Sequence, residues 1–133
     1  MDLRDQKFGI EIEMTGITRQ RAAEVLSEYL GGYTDYEGGG YGTYTVADRE
    51  NRKWKLVSDA SIQCQKKVGN RKQIADRDYS VELVSPICRY EDIEKIQEMV
   101  RVLREAGAFS NKSCGIHIHI NAAPFQAPKL RNL

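Results

Sequence analysis

An α+β fold built on an antiparallel sheet is what this sequence predicts, and three observations carry the prediction. Lys7–Met14 alternates strictly, placing Phe8, Ile10, Ile12 and Met14 on one face and Gly9, Glu11 and Glu13 on the other. Residues 114–121 alternate in the same way, with Ile116, Ile118 and Ile120 set against His117 and His119. Between them, residues 91–106 carry the helical stripe Ile93, Ile96, Val100 and Leu103. Acidic Glu91 and Asp92 occupy the first turn of that segment, Arg101 and Arg104 the last, and Gly107 ends it.

The remaining elements follow from local signals. Thr18 is an N-cap for a helix whose inward stripe is Ala22, Val25, Leu26, Tyr29 and Leu30, closed by Gly31-Gly32. Residues 33–46 read as strand, loop and strand, with the loop at Gly38-Gly39-Gly40. No Gly-Lys-Ser/Thr follows those glycines, so they are a connection and not a P-loop. A turn at 48–51 leads to a strand at 53–58 with Trp54 and Leu56 inward, and another strand is expected at 61–67. The basic run 66–72 reads more readily as a solvated hairpin tip than as a phosphate or RNA contact. A strand at 79–85 stops at Pro86, and residues 128–133 look like the opening turns of a helix.

With 133 residues the chain has room for one domain. Lys plus Arg is 20 against 19 Asp plus Glu, a balance that gives no reason to expect nucleic acid or an anionic membrane as partner. Apolar runs are too short to span a bilayer, and the charged start predicts no signal peptide. Cys64, Cys88 and Cys114 are odd in number and widely separated, which fits small buried hydrophobes in a reducing cytoplasm better than a disulfide framework.

Chemistry concentrates on two strand faces. Side chains at i and i+2 share a face, so Glu11 and Glu13 lie together, as do His117 and His119, the only two histidines of the chain. Glu82, flanked by Val81 and Leu83, adds a carboxylate on a third strand. A solvated strand face mixes Lys, Thr, Arg and Ser, whereas these positions hold only carboxylates or only imidazoles. Several carboxylates on one face repel one another unless a cation neutralises them. Oxygen-rich ligation with an imidazole suits Mg²⁺ or Mn²⁺, above all where phosphate oxygens complete the shell.

Four segments in this order, Gly9-Ile10-Glu11-Ile12-Glu13, residues 52–62, Val81-Glu82-Leu83-Val84-Ser85-Pro86 and Cys114-Gly115-Ile116-His117-Ile118-His119, resemble the amidoligase family, related to glutamine synthetase and γ-glutamylcysteine synthetase. The resemblance implies an antiparallel sheet curved into an open, partial barrel with helices packed on its outer face. It implies ATP and Mg²⁺ or Mn²⁺ as cofactors, and phosphorylation of a small-molecule or peptide carboxylate followed by attack of an amine. By position, Glu11, Glu13, Glu82 and His117 match metal ligands and His119 the residue facing phosphate. Asp59 and Ser61 match a turn that shapes the substrate side.

Ala60 stands where that family usually has Gly, so this turn cannot freely use a positive φ. The family also continues past the His-x-His strand, so residues 1–133 are expected to be the N-terminal part of one catalytic domain. An incomplete sheet predicts exposed edges and oligomerisation. Two other readings remain: a metal-dependent hydrolase or oxygenase using His-x-His plus Glu, and an inactive metal- or nucleotide-binding remnant. A Cys–His pair is unlike this pattern, because Cys114 and His117 are i, i+3 on one strand and point to opposite faces.

Overall fold

The structure, a computed structural model, describes residues 5–121. The expected helix at 128–133 lies outside the described residues. Nine strands and two helices follow the order β1 (Lys7–Met14), α1 (Arg19–Leu30), β2 (Thr34–Gly38), β3 (Thr43–Ala47), β4 (Lys53–Val57), β5 (Gln65–Val68), β6 (Arg71–Ile74), β7 (Val81–Val84), β8 (Cys88–Arg89), α2 (Asp92–Glu105) and β9 (Ile116–Asn121). The fold is α+β and the main sheet is antiparallel throughout.

Central strand β1 pairs with β7 and β8 along one side and with β9 along the other. Beyond β7 the order runs β4, β3, β2. The sheet is open: its outer strands β2 and β9 do not pair with each other, so no barrel closes among the described residues. β5 and β6 form a separate two-stranded hairpin.

Register explains the two faces. Ile12 stands opposite Leu83, Leu83 opposite Leu56, and Met14 opposite Val81. Those side chains, with Trp54 and Val46, turn to the helices and form the core with Ala22, Ala23, Leu26, Met99 and Leu103. Burying each large member contributes roughly 1.5–3 kcal/mol. The alternate positions Glu11, Glu13 and Glu82 necessarily turn to the other face. Thr18 caps α1 by accepting from the Arg21 N–H, and Gly31 closes it at φ 73°.

The isoleucine face of β9 is only partly covered. Ile116, Ile118 and Ile120 are on the helix side of β9, where α2 leaves open clefts, lined by Ile93 and Ile96 beside Ile118 and Ile120 and by Val100 and Leu103 beside Ile116. Ile116 is 60% exposed and Ile118 36%. Of the cysteines, Cys64 and Cys88 are buried while Cys114 is half-exposed. The strand expected at 61–67 begins only at Gln65, because residues 59–62 form a turn in which the Ile62 N–H donates to the Asp59 carbonyl.

The β3–β4 turn is tied to α2 by ion pairs. Asp48 accepts from the backbone N–H groups of Glu50 and Arg52, from Arg52 Nε and from the buried Trp54 indole. Arg52 then donates two parallel bonds of 2.9 Å to Asp92. Among the described residues no helix is long and apolar enough to cross a membrane.

Candidate metal centre

Sheet register brings the acidic and imidazole side chains together. Glu11 lies opposite His117 across the β1–β9 pair, and Glu13 opposite Glu82 across the β1–β7 pair. Two groups result, with ligand atoms within 4.8 Å of one another: Glu11, Glu82 and His117, and Glu13, Asp59 and Glu82. Glu82 belongs to both. The chain thus presents a continuous patch of four carboxylates bordered by two exposed histidines.

Each member is held by its element or its neighbours. Glu13, nearly buried, accepts the Gly115 N–H at 2.7 Å, while its own N–H donates to the Gly115 carbonyl. Asp59 is fixed by its turn, because its Oδ1 accepts from Ser61 N–H at 2.8 Å and Ser61 Oγ at 2.7 Å. The buried Ser80 hydroxyl accepts from Asp59 N–H and donates to the Asp59 carbonyl. Arg77 closes the arrangement by donating to the carbonyls of Asp59 and Ile62. The turn is built without positive φ at Ala60; among the described residues only Asn51 has one outside glycine.

Electrostatics match the crowding. Burial, followed by the charges of Glu11, Asp59 and Glu13, pushes the Glu82 carboxyl up to about 7. Glu13 is raised by burial and by its hydrogen bond with Asp59, and Asp59 is lowered by the same bond and by Ser61. Of the two, Glu13 thus holds its proton more readily and Asp59 gives it up more readily. A divalent cation suits this donor set, since it removes the mutual repulsion that raises Glu82.

His119 Nε2 lies 3.1 Å from Glu11 Oε1, and His117 Nδ1 lies 3.8 Å from the same oxygen. His117 is thus a member of the first group, and His119 borders it. The structure brings Asp59 into the carboxylate patch, beyond the substrate-shaping place that the resemblance implies for it. Ser61 touches that patch through Asp59, its hydroxyl being used to hold the Asp59 carboxylate. Sequence reasoning missed Arg77, Ser80 and Gly115. Only Gly115 carried a signal, its place at the head of the His-x-His strand.

No curated protein and no solved structure matches the chain. The family model described as "Putative amidoligase enzyme" matches residues 4–133, which span the whole patch and every strand that builds it. On that match and those strands, the chain belongs to the amidoligase family of ligases.

Proposed function

We propose that the chain carries the metal-binding face of an ATP-dependent carboxylate–amine ligase related to glutamine synthetase. The observation that carries this reading is the convergence of Glu11, Glu82 and His117 with Glu13, Asp59 and Glu82, two triads joined through one carboxylate. Glu11, Glu82 and His117 would hold one Mg²⁺ or Mn²⁺; Glu13, Asp59 and Glu82 would hold a second. ATP bound through such ions supplies the phosphoryl group that activates a small-molecule or peptide carboxylate toward an amine.

The chain's own residues then have separable tasks. Glu82, whose carboxyl burial and neighbouring carboxylates push up to about 7, would bind a cation in its ionised form. Glu13 is oriented by the Gly115 N–H, and Asp59 by Ser61. His119, beside Glu11 at the exposed border, would donate to a phosphate oxygen.

The test is ATP-dependent ligation by the protein containing this chain, followed as phosphate release against panels of amino-acid and peptide pairs. Phosphate release is expected to require Mg²⁺ or Mn²⁺ and to fall by about 100-fold in Glu82→Gln and in His117→Ala. Unchanged turnover in both variants would sink the assignment.

A second reading has one observation in its favour. His117 Nδ1 and His119 Nε2 both face Glu11 Oε1, at 3.8 and 3.1 Å, and two imidazoles beside a carboxylate are donor types that suit iron or zinc. Tightly held iron or zinc in the isolated protein, with no response to Mg²⁺, would favour a metal-dependent hydrolase or oxygenase.

A further inference from the structure

The β5–β6 hairpin stands apart from the main sheet, and its stem is fastened beside the metal centre. Gln65 N–H donates to Thr15 Oγ1, and the Gln65 carbonyl accepts from Gly16 N–H, two and three positions beyond Glu13 on the chain. Asn111 Nδ2 donates to Gln65 Oε1, and Asn111 belongs to the turn that leads into Gly115. A two-stranded ribbon is marginal alone in water, so these clamps are what hold it in place.

Four cations lie on the ribbon, Lys66, Lys67, Arg71 and Lys72, and among the described residues none of them forms an ion pair. Lys67 and Lys72 are directly opposite in register, where like charges repel. Both ammonium groups converge on the Phe109 ring, at 5.5 and 4.7 Å from its centroid. The same face presents Ile74, 91% exposed, and the other face presents Val68, 50% exposed, opposite Arg71. The outer edge of β6 makes no hydrogen bond to a third strand among the described residues.

We propose that this hairpin is a docking arm for an acidic polypeptide segment, which it holds by pairing carboxylates with Lys67 and Lys72, apolar side chains with Ile74, and backbone with the free edge of β6. The inference rests on the ligase reading, to which it adds a substrate class: a peptide or protein brought to the metal centre by its acidic flank. Three features are matched at once only by such a ligand. A free phosphate would use the Lys67–Lys72 pair and leave Ile74 and the strand edge unused. A nucleic acid would find Phe109 already covered by lysines and, beside the arm, the carboxylates of Asp76, Asp78 and the metal centre.

The experiment measures fluorescence anisotropy of a labelled peptide of alternating Glu and Val, about ten residues long, with the full chain in chelator and without nucleotide. Omitting metal and ATP makes the result independent of the ligase reading. Peptide affinity is expected to fall by about tenfold or more in Lys67→Gln/Lys72→Gln and several-fold in Ile74→Ser. All three replaced side chains are exposed, so the variants are expected to keep the wild-type circular dichroism spectrum, which is recorded alongside. The wild-type peptide complex should survive millimolar inorganic phosphate and bind better than an oligonucleotide of equal charge. Equal competition by phosphate, tighter binding of the oligonucleotide, or unchanged affinity in Ile74→Ser overturns the proposal.

Discussion

Glu13 and Glu82 face each other across the β1–β7 pair, two carboxylates in direct register on the side of the sheet that the helices leave open. Such a pair in a protein strand costs stability unless protons or cations separate the charges. The consequences can be measured without knowing either substrate.

The first concerns pH. Glu82 titrates near 7 in the folded chain and near its ordinary 4.5 when unfolded. Between those values the folded chain keeps a proton that the unfolded chain has lost, so stability falls as pH rises through the window. Glu13, also raised, acts in the same direction. In chelator, the melting temperature should drop between about pH 5 and about pH 8, and Glu82→Gln should flatten that slope. Saturating Mg²⁺ should restore the loss at the alkaline end, because it binds the ionised form. Parallel curves for wild type and Glu82→Gln would show that Glu82 does not sit among charges.

The second concerns Arg77, which touches no proposed ligand side chain but holds the carbonyls at both ends of the Asp59 turn. Arg77→Ala should weaken Mn²⁺ binding by about tenfold while leaving the far-UV circular dichroism intact. A titration followed by paramagnetic resonance reads this directly, and unchanged affinity would mean that Asp59 does not contribute to the ion site.

The third is structural. Arg52 joins Asp48 and Asp92 in a half-buried network, and both carboxyls are held below their ordinary range, with hydrogen bonds from Arg52 and from Trp54 as the lowering causes. Arg52→Ala removes the cation that the two carboxylates share and should cost about 3 kcal/mol in urea denaturation. Arg52→Lys should recover only part, because an ammonium cannot make the two parallel bonds to Asp92.

The fourth uses two glycines. A Cβ on Gly32 would collide with the Ala47 carbonyl oxygen, whereas one on Gly40 would meet nothing within 4 Å. Gly32→Ala should therefore destabilise by about 3 kcal/mol or more, with Gly40→Ala close to neutral. Equal melting temperatures for the two variants would contradict the close approach of α1's exit to β3.

Much of this was legible in the residues. Strict alternation located β1 and β9 and separated Glu11 and Glu13 from the isoleucines, because one face of each strand meets a different environment. The capping signals at Thr18 and Gly31 placed α1, and the stripe at Ile96, Val100 and Leu103 placed α2. β6 was not legible: all four of its residues are exposed, so no hydrophobic period marks it. β8, two residues after Pro86, is too short to carry a pattern. The approach of Asp59 to Glu13 depends on Ser80 and Arg77, contacts across about 20 residues that local spacing does not encode. The exposure of Ile116 and Ile118 was hidden for the opposite reason. Alternation tells which way a side chain faces, not whether anything covers it.

His119 and Glu11 touch although 108 positions separate them along the polypeptide. During synthesis the first strand leaves the ribosome long before its imidazole neighbours exist, so for most of that interval the acidic ladder lacks its last structural partner. Of the two proposed ion sites, the one that uses His117 would therefore form only when β9 has docked, whereas Glu13, Asp59 and Glu82 need no residue of β9. Mn²⁺ held with His117 as a ligand would then report, in a single spectroscopic signal, that these least local contacts of the described residues have been made.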